Sequence, residues 1–151
     1  MNFTPGEASL YLSRLSRRID TGRNLQIVLA PSLVALQTLS LQINRRQFKL
    51  AAQNFYWRDY GAYTGEVSVS QLRGFVDYAL VGHSERRYVF NESDKDIQEK
   101  VAAAIRNNIT PVLCIGETAL ERKDGETNRA IHNQLIEGLH LVSKEDIDKV
   151  I

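Results

Sequence analysis

Tyr78-Ala79-Leu80-Val81-Gly82-His83-Ser84-Glu85-Arg86-Arg87 decides the fold. Four residues run without a charged break and stop at Gly82. A short apolar run without in-out alternation reads as a strand buried on both faces, as in a parallel sheet. The polar stretch from Ser84 then opens a helical turn. A strand handing over to a helix is half of a βαβ unit, and the same pattern recurs on both sides.

Downstream, Ser93 caps a helix carrying Ile97, Val101, Ala104 and Ile105, which ends at Asn107-Asn108. Pro111 to Ile115 reads as a strand, Thr127 to Leu139 as a helix, and Lys149-Val150-Ile151 as a strand just begun. Upstream, Leu50 to Gln53 is a strand of small residues, followed by a long aromatic loop from Asn54 to Val67. Val69 to Asp77 reads as a short helix. Ile27 to Ala30 is a strand ending at Pro31, and Ser32 caps a helix with Leu33, Leu36, Leu39 and Ile43 on one face. Thr4-Pro5-Gly6-Glu7 is a capping box with proline at the first helical position. Ala8, Leu12, Leu15 and Ile19 follow at helical spacing, and Thr21-Gly22 ends the run. This predicts one α/β domain over residues 1–151, with four complete parallel strands and the stub of a fifth.

Composition narrows the function. Apolar content of 43% and charged content of 25% describe an ordinary globular chain. A net charge of +1 gives no electrostatic case for nucleic acid or an acidic membrane, and the arginine pairs Arg17-Arg18, Arg45-Arg46 and Arg86-Arg87 read as scattered. Cys114 is the only cysteine, which fits a reducing cytoplasm. The opening residues do not read as a secretory signal, and no stretch approaches the ~18 apolar residues of a membrane span.

In parallel sheets function sits where strands hand over to loops. Asn54, His83 and Gly116-Glu117 lie at such points. At a helix start His83 feels a positive field that favours the neutral ring, which can donate a hydrogen bond to a developing oxyanion. A structural histidine bonded to a backbone carbonyl fits the position too. Glu85 reads first as an ion-pair partner within its Ser-Glu-Arg-Arg run. Cys114, on a strand, reads as a small core residue rather than a nucleophile. His132 and His140 have no third ligand nearby, so no metal site is expected, and no glycine-rich phosphate loop is present. Phe55, Tyr56, Trp57, Tyr60 and Tyr63 make the loop a candidate interaction surface, or a set of aromatics packed locally.

Gln53-Asn54 with Gly61-Ala62-Tyr63-Thr64-Gly65-Glu66, and Val81 to Arg87 with Pro111 to Thr118, resemble the triose-phosphate isomerases. The resemblance runs from Met1 to Ile151. It implies a partial (β/α)8 TIM barrel, about strands 2–5 of a fold of roughly 250 residues. It implies interconversion of dihydroxyacetone phosphate and glyceraldehyde 3-phosphate through an enediolate, without cofactor. His83 would be the catalytic electrophile, with Ser84, Glu85 and Cys114 in support. This family is a known case of a neutral histidine in that role. Thr64, Tyr63, Gly65, Glu66 and Trp57 would form the interface, since the matching loop of the family reaches into a partner subunit.

Two departures qualify this. Members begin with a strand ending Asn-Trp-Lys-Met-Asn, of which Met1-Asn2 resembles the end, and their general base lies in a Tyr-Glu-Pro sequence after the segment resembling Lys149-Val150-Ile151. The expectations are therefore a truncated isomerase, inactive alone, that self-associates or pairs with a complementing fragment. The alternative is a non-catalytic scaffold acting through loop 55–63.

Overall fold

Capping chemistry sets most of the helix starts. The computed structural model describes residues 2–19, 22 and 24–151. In α1 (Pro5–Ser16) the Thr4 hydroxyl accepts the Glu7 N–H while the Glu7 carboxylate accepts the Thr4 N–H at 2.8 Å. The same reciprocal box opens α4 (Asp94–Arg106) through Ser93 and Asp96, and α5 (Ala119–Lys123) through Thr118 and Glu121. Each box satisfies amides that the first helical turn leaves without partners. Asn108, at φ 57°, takes the left-handed conformation that ends α4. α1 ends at Ser16; the expected stop at Thr21 lies outside the described residues. Gln47 closes that end by donating to the carbonyls of Ser16 at 3.1 Å and Ile19 at 2.7 Å.

Four strands, β1 (Ile27–Leu29), β2 (Phe48–Ala52), β3 (Tyr78–Val81) and β4 (Thr110–Leu113), lie parallel in sequence order. Ile151 exchanges backbone bonds with β4, through Leu113 N–H to Ile151 O at 2.7 Å and Ile151 N–H to Pro111 O at 3.0 Å. The expected stub is thus a paired strand start, although residues 147–149 first make a 3-10 turn.

The sheet is closed on one face. Ile27, Leu29, Leu50, Ala52, Ala79, Val81 and Pro111 share the face that α2 (Leu33–Gln42) and α4 cover, and α6 (Thr127–Gly138) packs on α4 and, through Gly138, against Leu113. Phe48, Leu50, Val81, Ile97 and Val101 are among the largest buried side chains, each contributing about 1.5–3 kcal/mol of apolar burial. On the other face Val28, Lys49, Tyr78, Leu80 and Val112 are only partly covered. Burial on both faces holds for most of β2 alone.

Three local readings need correction. The element from Val69 is a 3-10 turn that stops at Leu72, because the chain turns through Gly74 at φ 80°. Ser32 occupies the cap position of α2, but its buried hydroxyl makes no cap bond. Leu33 is 46% exposed, and Ala35 takes the inward place. The short helix α5 is additional to the expected elements.

Candidate active site

The handover from β3 builds the site. Gly82 sits at φ 70°, a conformation that side chains strain. A Cβ there would lie 2.9 Å from Arg87 Nη2 and 3.3 Å from the Cys114 carbonyl. His83 follows as the N-cap of α3 (Ser84–Tyr88). The Glu85 backbone N–H donates to His83 Nδ1 at 3.3 Å. With Nδ1 as the acceptor, the hydrogen of a neutral ring lies on Nε2. The side chain is 43% exposed. With Ser84, Cys114, Gly116, Glu117 and Gln134 it lines a cavity of about 260 Å³ at the C-terminal ends of β3 and β4.

Arg87 holds this region together. Its guanidinium donates to Gly82 O at 2.8 Å, to Cys114 O at 3.3 Å and to Asp94 at 2.8 Å. Only 9% of the side chain is exposed. It fastens the ends of two strands to the start of α4. Gly82→Ala will therefore displace this guanidinium and cost about 1–3 kcal/mol; urea unfolding measures the loss, and a shifted His83 ring resonance reports the altered site.

The other expected residues fall into two groups. Ser84 and Cys114 share the His83 cavity; burial raises the Cys114 thiol, which suits a neutral wall rather than a nucleophile. Glu85 pairs with neither arginine of its run. Its side chain is 76% exposed, 3.7 Å from His83 Nδ1, while Arg86 pairs with Glu92 and Arg87 with Asp94. Tyr63, Thr64, Gly65 and Glu66 are exposed on the aromatic loop, and none of them lines the His83 cavity. Trp57 is half-buried, stacked on Tyr56 with Arg58 over its ring.

A buried charge cluster joins the two groups. Lys100, on α4, donates to Glu92 at 2.6 Å and to Asn54 Oδ1 at 2.8 Å, and Glu92 also accepts from Arg86 on α3. Lys100 and Glu92 side chains are 5% and 4% exposed. Burial holds the Lys100 ammonium below its ordinary range, against the pull of Glu92. Asn54, at the root of the loop, is thus tied to the helix that begins just beyond α3. Lys100 is not legible as a site residue in the sequence, because a lysine on an amphipathic helix ordinarily faces water.

The family model described as Triosephosphate isomerase matches residues 1–151. The chain belongs to this family. It is 36% identical over 152 residues to the triosephosphate isomerase of Clostridium perfringens, covering 100% of this chain and 61% of that protein. The Alkaliphilus metalliredigens enzyme is 37% identical over 151 residues, covering 97% of this chain and 60% of the relative. That of Caldanaerobacter subterraneus is 36% identical over 152 residues, with 100% and 61% covered. The chain therefore spans about three fifths of the length of these curated relatives, and its four parallel strands form part of the family's α/β barrel. No described helix is long and apolar enough to cross a membrane.

Proposed function

We propose that residues 1–151 carry the electrophilic part of a triose-phosphate isomerase site. The observation behind this reading is the bond from the Glu85 N–H to His83 Nδ1, which leaves Nε2 as the donor of a neutral ring, on a residue that lines the cavity. In the reaction a base removes a carbon-bound proton from the triose phosphate, and negative charge collects on the oxygens of the enediolate. A fixed donor aimed at such an oxygen stabilises the charge as it develops. Ser84 and Cys114 shape the wall, and Arg87 holds the strand ends that position it.

The 151-residue polypeptide contains neither an Asn-Trp-Lys nor a Tyr-Glu-Pro sequence. Without a general base the reaction loses about 10²–10⁴ in rate. The polypeptide alone is therefore inactive, and catalysis needs residues supplied from outside positions 1–151. The exposed segment Tyr63–Glu66 supports pairing with a second copy or a complementing chain. A reducing, cytoplasmic setting suits the lone cysteine.

A coupled isomerase assay on the purified polypeptide beside His83→Ala tests this. Equal background in both is the expected result. Turnover that disappears in His83→Ala would show that these residues alone complete a working site. The scaffold reading draws support from Tyr60, 86% exposed on a loop apart from His83. A defined oligomer that binds no triose phosphate would favour it.

A further inference from the structure

We infer that Asp59 is a positioning residue that latches the crown of the aromatic loop to the C-terminal end of α4. Tyr56 pairs with Val67 and Val69 at the root of the loop, through bonds of 2.8 and 3.3 Å. Between these anchors, among the described residues, no backbone N–H of residues 57–62 donates to a backbone carbonyl. Backbone pairing therefore does not define the crown, and side chains must.

Asp59 supplies that definition. One carboxylate oxygen accepts from Asn107 Nδ2 at 2.9 Å and the other from Arg106 Nε at 3.1 Å. Its carbonyl accepts from the Ser70 hydroxyl at 2.9 Å, and Arg106 also reaches the Trp57 carbonyl at 3.3 Å. Asn107 is 2% exposed and cannot turn away. Arg73 donates to its amide oxygen at 2.7 Å, so its NH₂ group faces Asp59 and the Ala103 carbonyl. One stretch far from the loop in sequence, the C-terminal end of α4, thus supplies both donors to the carboxylate, and each of these bonds is charge-assisted. Burial pulls the Asp59 carboxyl upward, but the bonds from Asn107 and Arg106 outweigh it, so it stays ionised below its usual range.

The latch acts on the residues immediately C-terminal to it. Tyr60 is held outward, and Gly61, at φ 142°, lies so close to the Tyr63 ring that a Cβ would meet it at 2.5 Å. Tyr63 in turn packs on Tyr56 at 4.5 Å between centroids. A crown fixed before contact meets a second copy of the chain without the cost of ordering a free loop. This last step rests on the proposed interface; the latch itself does not.

Trp57 is the only tryptophan, so its fluorescence reports on this loop alone. Asp59→Asn turns one acceptor into a donor facing donors. Acrylamide quenching of Trp57 should rise by about two-fold or more, with far-UV circular dichroism unchanged. Sedimentation velocity on the same samples should show weaker self-association. More quenching with unchanged association keeps the latch and removes the interface reading. Unchanged quenching overturns the latch. If Asp59→Asn does not fold, Arg106→Gln removes half of the latch, and the same quenching criterion applies to it.

Discussion

Glu92→Ala will destabilise the fold by about 3–5 kcal/mol, measured as a lower midpoint in urea at unchanged slope. The size reflects the charge left behind. Glu92 is the shared anion of Lys100 and Arg86, and its removal leaves the Lys100 ammonium 5% exposed beside a neutral Asn54. Arg86 is 28% exposed and can turn to water, so the penalty concentrates on Lys100. The double variant Glu92→Ala/Lys100→Met should regain at least about half of the loss, because removing both buried partners costs far less than removing one. A double variant no more stable than Glu92→Ala would mean that packing, not the stranded charge, sets the cost. A loss of several kcal/mol is a large share of the roughly 5–15 kcal/mol that holds a domain folded.

This cluster also marks the limit of what a sequence shows by itself. Strands and caps are local codes. Tyr78–Val81 is apolar and bounded by Gly82, and Thr4-Pro5-Gly6-Glu7 closes its own box, so both are visible within a few residues. The Thr118–Glu121 box is equally local, but α5 has little apolar content beyond Leu120, and hydrophobic periodicity passes over it. His83 is legible at a helix start because its partner, Glu85 N–H, is two residues away. Lys100 with Asn54, Asn107 with Asp59 and Gln47 with α1 are partnerships across the fold, set by which helix covers which strand. Adjacency within Ser-Glu-Arg-Arg points Glu85 at an arginine, whereas the arginines take Glu92 and Asp94 and leave Glu85 in water. The half-covered sheet face follows from a partial barrel, whose inner face lacks facing side chains, and not from the apolar runs: such a run shows that residues can be buried, not that anything covers them.

Joining residues 1–151 to the segments that the Clostridium perfringens relative has beyond them should, on the proposed reading, give an active isomerase, and His83→Asn in that chimera should lower kcat by about 10²–10³. Asparagine is chosen because His83 has two jobs. As the N-cap of α3 it accepts the Glu85 N–H, and asparagine is among the best residues for that. Alanine would remove the cap and the donor together and confuse folding with chemistry. Asparagine keeps the acceptor, but its amide is too short to place a donor where Nε2–H stands. Donation to the developing oxyanion is made mainly in the transition state, so kcat should fall with KM little changed. Equal losses in unfolding midpoint and rate would mean that the substitution damaged the scaffold. A full rate in the asparagine variant would return His83 to a purely structural cap and remove the observation on which the proposed function rests.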